Sequence, residues 1–421
     1  MINDHTLSLF EPFGAHLVKP LYKDYAFGLI PDTAHYLLTG ETIGDHLAPD
    51  CFGGSYPKPE KIVLVFIDSF GWQFWQRFWE QSRIMRSVVN SGVLTPISAL
   101  FPSTTSASVT SMNLAVPPAR HGIYEWNMFV PAFGEVIQSL PFALLGQPPG
   151  SATLKGFDAA GLFLETETAH QRLARHGVAS IQIAARAYAS SPYNRLASAG
   201  ADVHPYTTLA EALTALDTAI NETPGKAFIN FYWAGLDTAA HIHGPGSPVH
   251  DAEVRAFWAA LDTLMGRRQP DRTLWLFTAD HGHIAVPAEE TIFVNQRWPI
   301  VRDWLARNAS GQRIWPCGSP RDMFLHIAAP HRAEALALLQ DGLAGIADVI
   351  TIETAEAAGL FGTSNLSAEM RRRLGDIIIL PHLGSFVWWH EEGLITNKLN
   401  GHHGGLTREE LVTVLGVAHE L

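Results

Sequence analysis

Three short apolar runs, each leading to an aspartate, constrain this chain more than any other feature. KIVLVFID covers 61 to 68 and ends on Asp68, KAFINFYW covers 226 to 233 with Asp237 close behind, and TLWLFTAD covers 273 to 280 and ends on Asp280. Short continuous runs rich in β-branched residues are what strands buried on both faces of a parallel sheet require. Between the runs, TLAEALTALDTAI (208 to 220) and DAEVRAFWAALDTLMGRR (251 to 268) repeat apolar residues at the helical period. Buried strands alternating with amphipathic helices predict an α/β fold: a mostly parallel central sheet with helices on both faces.

The carboxyl ends of such strands open onto one edge, where ligands bind, so Asp68, Asp237 and Asp280 are expected in one crevice. Each alone reads equally well as a helix cap. Together they repel and raise one another's pKa unless a cation lies between them. Histidines accompany them. Asp237 and His241 stand one helical turn apart on one face. Asp280 and His281 are adjacent at a strand-to-loop corner, followed by Gly282, which tolerates unusual backbone angles. NGHHGG (400 to 405) places His402 and His403 in a glycine-rich loop. Asp and His donors without Cys favour catalytic zinc, with manganese or iron as alternatives. Cys51 and Cys317, the only two cysteines, lie far apart and read as unpaired structural thiols in a reduced compartment.

A nucleophile is offered by LFPSTTSASVTSM (100 to 112), where Ser103, Thr104, Thr105, Ser106 and Ser108 carry hydroxyls at the start of a segment able to become helical. A hydroxyl at a helix N-terminus beside a divalent cation can be activated for attack. It can equally be an ordinary N-cap. Local chemistry does not choose among the five.

With 421 residues, 47% of them hydrophobic, the chain can build one large domain or two or three smaller ones. Residues 1–58 have no period and read as an N-terminal extension packed on the core. Residues 59–295 and 386–421 read as the α/β core. The segment 296–385, with strand-like DMFLHIA and DIIILP around helix-like HRAEALALLQDGLAG, reads as a small inserted α+β subdomain. Residues 127 to 200 show no informative pattern. A formal charge of −12 argues against a nucleic acid duplex as partner, since that binding relies on clustered cations. No apolar run approaches the ~20 residues of a membrane span. The opening MINDHTLSLFEPFG lacks a basic stretch followed by an apolar one, so no secretory signal and a cytoplasmic location are expected.

Taken in order, IDSFGW with Asp68, FPSTTSAS, GLDTAAH with Asp237 and His241, TADHGH with Asp280 and His281, and HHGG with His403 resemble the alkaline phosphatase superfamily, specifically its type I phosphodiesterase and nucleotide pyrophosphatase branch. Each motif is short; five in one order between 61 and 405 are specific. The resemblance implies that Thr105, three residues after the proline of an F-P-x-x-T motif, is the nucleophile. It implies one metal held by Asp237, His241 and His403, and a second held by Asp68, Asp280 and His281 with Thr105 turned towards it. His403 is preferred to His402 because the family's ligand directly precedes glycine.

The implied activity is two-metal hydrolysis of a small phosphodiester, a nucleotide among the candidates, through a phosphothreonine that water then releases. Two departures stand out. Ser106-Ala107-Ser108 follows the nucleophile where Asn-His is frequent. After His121-Gly122-Ile123, Trp126 occupies the place of the family's phosphoryl-binding Asn, and Asn127 stands one residue later as the substitute. His121, His243, His283 and His402 read as packing or loop histidines, or as partners that orient ligands. A phosphonate hydrolase or phosphomonoesterase of the same superfamily is the nearest alternative. A sulfatase is less well matched, since Val116-Pro117-Pro118-Ala119-Arg120 lacks a nucleophile in the C/S-x-P-x-R pattern. A catalytically inactive, metal-stabilised binding protein is the alternative from another class.

Overall fold

The structure, a computed structural model, describes residues 1–266 and 272–419. The strands that carry the architecture are, in chain order, β1 (Lys61–Ile67), β2 (Val93–Ser98), β3 (Ala179–Ala185), β4 (Asp202–Tyr206), β5 (Ala227–Trp233), β6 (Thr273–Thr278), β7 (Met323–Leu325), β8 (Ala347–Thr351), β9 (Ile377–Pro381) and β10 (Val412–Ala418). Seven of them form one sheet in the order β2-β10-β6-β1-β5-β3-β4. All its pairings are parallel except those of β10, which runs against both neighbours.

β1 shows why the apolar run needs no alternation. Ile62, Leu64 and Phe66 enter one buried cluster with Phe27, Ile30 and Met112. Val63, Val65 and Ile67 enter another with Trp75, Phe257 and Trp258. Both faces are covered, so both parities are apolar. The first cluster draws heavily on residues 27 to 52, including helix α1 (Ile30–Thr39), so the N-terminal segment supplies core on that face.

The helices used below are α2 (Thr105–Leu114), α3 (Leu209–Glu222), α4 (Gly235–His243), α5 (Pro248–Met265) and α6 (Arg332–Gly342). The helical pattern at 208 to 220 is α3, begun by Thr208 accepting from the Glu211 N–H. That at 251 to 268 is α5, which starts earlier because Ser247 caps it and Pro248 occupies its first turn. Residues 267 and 268 of that expectation lie outside the described residues.

The segment read as strand, helix, strand holds β7, α6 and β9, and also β8, for which no expectation was set. The three strands form an antiparallel sheet in the order β7-β9-β8 around their own buried cluster, including Leu325, Leu339, Val349 and Ile379. Among the described residues, no helix is long and apolar enough to cross a membrane.

One buried ion pair joins this smaller sheet to the larger one. Arg321, fully buried before β7, donates from Nε and Nη2 to the two carboxylate oxygens of Glu410 at 2.9 and 2.8 Å. Its remaining N–H groups reach the carbonyls of Pro381 and His382. Glu410 in turn accepts from the Gly405 N–H at 3.0 Å and the Thr407 hydroxyl at 2.7 Å. Removing one partner strands the other charge in a dry interior. Arg321→Ala is therefore expected to lower stability by about 3–5 kcal/mol, read from the urea unfolding midpoint; a loss below about 1 kcal/mol would contradict this account of the junction.

Candidate active site

β5, β1 and β6 are neighbours in the sheet, so their carboxyl ends deliver Asp237, Asp68 and Asp280 side by side. Asp68 follows β1 directly. Ser69 then adopts a left-handed φ of 63°, which turns its N–H onto Asp280 Oδ1 at 3.1 Å and ties two strand ends together. Asp237 lies in the first turn of α4, and His241 lies one turn on, their facing atoms 3.4 Å apart. Gly282, following His281, is required for space rather than for an unusual φ. A Cβ there would lie 1.9 Å from the Glu409 carbonyl, and its N–H donates to the Glu410 carbonyl at 2.8 Å.

Thr105 is the first residue of α2. The cap is Thr104, whose hydroxyl accepts from the Ala107 N–H, so the Thr105 hydroxyl is free to face the carboxylates. Its Oγ1 lies 3.4 Å from Asp68 Oδ1 and 3.2 Å from His281 Nε2. Of the other four hydroxyl residues, Ser103 donates to the Gly405 carbonyl, and Ser103, Ser106 and Ser108 are buried.

Three imidazoles share one orientation. Nδ1 of His241 meets the Gly401 carbonyl at 2.7 Å, that of His281 the Gly282 carbonyl at 3.0 Å, and that of His403 the Ser103 carbonyl at 2.9 Å. A carbonyl only accepts, so each Nδ1 carries the proton and each Nε2 presents a lone pair to the crevice. There the Nε2 atoms of His241 and His403 lie 3.2 Å apart, and His281 Nε2 lies 3.2 Å from Asp280 Oδ2 and 3.5 Å from Asp68 Oδ1. The His281 and His403 rings stack with centroids 3.5 Å apart, so the two groups of donors are contiguous.

The electrostatics call for a cation. Burial, and then Asp280 and Asp237, push the Asp68 carboxyl well above its ordinary range, although the Tyr232 hydroxyl donates to it. Burial would also raise Asp237, but where the His241, His283 and His403 rings carry a proton towards it they outweigh burial and hold it low. Asp237 Oδ1 and Asp280 Oδ2 are buried with no hydrogen-bond partner. Ligating atoms of Asp68, Asp280 and His281 fall within 4.8 Å of one another, as do those of Asp237, His281 and His403 and those of Asp237, His241 and His283. Orphaned carboxylate oxygens beside aimed lone pairs fit divalent cations bound by oxygen and nitrogen.

A cavity of about 540 Å³ opens beside this cluster, with Asp68, Thr105, Asp237, His241 and His403 on its wall. Asn127 lines it too. It is the first residue of a short strand (Asn127–Val130), its amide nitrogen 3.4 Å from the Gly318 carbonyl and its Oδ1 unpartnered. Of the histidines left open by sequence, His243 is exposed and His402 bonds Asn397 at 2.9 Å. His283 faces Asp237 at 3.4 Å.

Sequence reasoning missed three contributors. Tyr232 was hidden inside an apolar strand. Glu125, on the cavity wall, forms a buried acid pair with Asp322 behind it: burial pushes Glu125 up to about 7, and burial and then Glu125 push Asp322 well above the usual range. Their positions had no local signal because they come from segments distant in sequence.

A mostly parallel sheet whose strand ends gather three carboxylates and three imidazoles around a threonine hydroxyl defines an alkaline-phosphatase-like hydrolase architecture. The chain belongs to the type I phosphodiesterase / nucleotide pyrophosphatase family, whose sequence profile matches residues 62–406. Among solved structures, murine ectonucleotide pyrophosphatase/phosphodiesterase 5, an inactive variant in complex with AMP, matches with a TM-score of 0.61 and 14% identity, over 86% of this chain and 88% of that one. Phosphonoacetate hydrolase from Sinorhizobium meliloti 1021, in complex with phosphonoacetate, matches with a TM-score of 0.59 and 16% identity, over 87% and 92%.

Two buried histidines brace α2 from behind. His121 bonds the Ser111 hydroxyl through Nε2 at 2.9 Å and accepts the Ile123 N–H at Nδ1. His170 bridges Asn113 and Ser180. Burial pushes them down to about 3 and about 4. The unfolded chain takes up these protons near pH 6.5 and the folded one does not, so stability is complete above that pH and falls as pH drops towards 4, by about 1.4 kcal/mol per unit for each histidine. Urea midpoints between pH 7.5 and 4.5 should decline, and less steeply in His121→Gln; equal slopes would refute the assignment for His121.

Proposed function

We propose that this chain is a metal-dependent phosphodiesterase acting on a small phosphate ester, with a nucleotide as the leading candidate, through a phosphothreonine at Thr105. The observation that carries it is the position of the Thr105 hydroxyl at the first turn of α2, within 3.4 Å of Asp68 and 3.2 Å of His281. Asp237, His241 and His403 would hold one divalent cation and Asp68, Asp280 and His281 a second, with zinc favoured and manganese or iron as alternatives. Such ions, when bound, offset the charge of the carboxylates and of the phosphoryl group.

The residues of the chain then divide the work. The Thr105 hydroxyl gives up its proton to solvent and its oxygen attacks phosphorus; the bond to the leaving oxygen breaks as the Thr105 Oγ–P bond forms, and the leaving oxygen takes up a proton from solvent. The N-terminal dipole of α2 favours the negative charge gathered there. The Asn127 amide, on the cavity wall, takes the role of binding a phosphoryl oxygen. In the second half, water attacks phosphorus and Thr105 departs with its hydroxyl restored. The Nδ1 bonds of His241, His281 and His403 to carbonyls keep the donor set oriented throughout.

A phosphonate hydrolase is the second reading. The phosphonoacetate hydrolase matches this chain over a share and with a TM-score close to those of the AMP-bound phosphodiesterase. Hydrolysis of an aryl phosphodiester, compared with the monoester, a phosphonate and a sulfate, separates these readings.

Thr105→Ala is expected to lower kcat by about 10³-fold or more while metal content stays unchanged. Acid-quenched wild type should carry phosphate on Thr105 by mass spectrometry. Full activity in Thr105→Ala would sink the nucleophile. Removing metal with a chelator should lower Tm and abolish turnover, both restored by zinc or manganese; turnover that survives exhaustive chelation would exclude the metal-dependent reading.

A further inference from the structure

His283 differs from the other histidines of the crevice. It is 1% exposed, and both of its ring nitrogens are buried without a hydrogen-bond partner among the described residues. His241, His281 and His403 each commit Nδ1 to a carbonyl. A buried imidazole with neither nitrogen satisfied calls for an explanation.

Its Nδ1 points at Asp237 Oδ1, 3.4 Å away, and that oxygen also lacks a hydrogen-bond partner. An N–H···O bond would close to about 2.9 Å. Two donors sharing one cation, with bonds near 2.0–2.1 Å at a tetrahedral angle, stand about 3.3 Å apart instead. The other pairs of this group have similar spacing: 3.4 Å from Asp237 to His241, 3.7 Å from Asp237 to His403 and 3.2 Å between His241 and His403. The ring is admitted by Gly401, where a Cβ would lie 2.9 Å from His283 Nε2 and 2.3 Å from the Ala240 carbonyl.

We infer that His283 is a further protein ligand, through Nδ1, of the cation held by Asp237, His241 and His403. This rests on the metal-dependent reading above and adds an asymmetry to it. A site with four protein donors that still admits a substrate oxygen must be at least five-coordinate, whereas the Asp68, Asp280 and His281 site keeps three. The first site is then suited to manganese, iron(II) or cobalt(II) more than to four-coordinate zinc.

The test uses the full chain stripped of metal and titrated with Co²⁺, followed by visible absorption and by competition with a chelator. Wild type is expected to bind two ions, one with the weak absorption of a five-coordinate centre. His283→Ala should lose about tenfold or more in affinity at one site, and its absorption should intensify as that site drops to four-coordination. His283→Asn, which can place an amide oxygen near the Nδ1 position, should recover part of both and carries the test if the alanine variant does not fold. An unchanged spectrum overturns the inference: with weakened affinity, His283 would only orient Asp237; with unchanged affinity, it would have no role there. Absence of Co²⁺ binding in wild type would overturn the metal-dependent reading itself.

Discussion

Burial of three carboxylates at adjacent strand ends is the constraint on which the rest of this structure depends. Neighbouring strands lie about 4.8 Å apart, and at about 5 Å with an effective dielectric near 20, each pair of like charges repels by roughly 3 kcal/mol. The two adjacent pairs, with the outer pair about twice as far apart, sum to roughly 8 kcal/mol, comparable to the ~5–15 kcal/mol that holds a whole domain folded. Asp68 answers by a raised pKa, and Asp237 is held low where the imidazoles around it carry a proton. The oxygens left without partners on Asp237 and Asp280 show that the protein alone does not finish the neutralisation. The sheet and the crevice are thus one design: the parallel order β5-β1-β6 creates the crowding, and a divalent cation would relieve it.

The donors stay in place because the loops bearing them are strapped to one another. Ser103, two residues before Thr105, accepts the His403 Nδ1–H at its carbonyl, donates its hydroxyl to the Gly405 carbonyl and accepts the Gly404 N–H. Gly405 is held by Glu410, and Glu410 by Arg321 at the edge of the smaller sheet. Next to Arg321, Asp322 accepts from Ser319, whose hydroxyl also reaches the His403 carbonyl. The smaller sheet therefore reaches the crevice through a short chain of hydrogen bonds, fixing His403 relative to Thr105 although some 300 residues separate them in sequence.

What the sequence made legible follows from how local each signal is. β1, β5 and β6 were readable because both of their faces are buried, and their terminal aspartates marked the sheet edge. α3 and α5 were readable from their period. β3 was not, because Ser180 and Gln182 interrupt its apolar run and point into a polar cluster with Asn113 and His170. The Asp237–His241 pair follows from helical geometry. Local chemistry left five hydroxyls open and only the F-P-x-x-T resemblance singled out Thr105; in the structure Thr104, its neighbour, takes the cap. Gly282 was correctly singled out for the wrong reason, since a close backbone approach leaves no trace in a single sequence.

The same reasoning locates where substrate choice resides. The carboxylate and imidazole donors named above sit on or beside elements of the large sheet or on the strapped 403–405 loop. The cavity beside them is walled in part by Asn127, Tyr188 and Pro320, which come from the stretches that showed no period or were set apart as an insertion. Loops of that kind change length and composition with little penalty to the core. For this chain we therefore propose that the wall, rather than the donor cluster, discriminates between leaving groups.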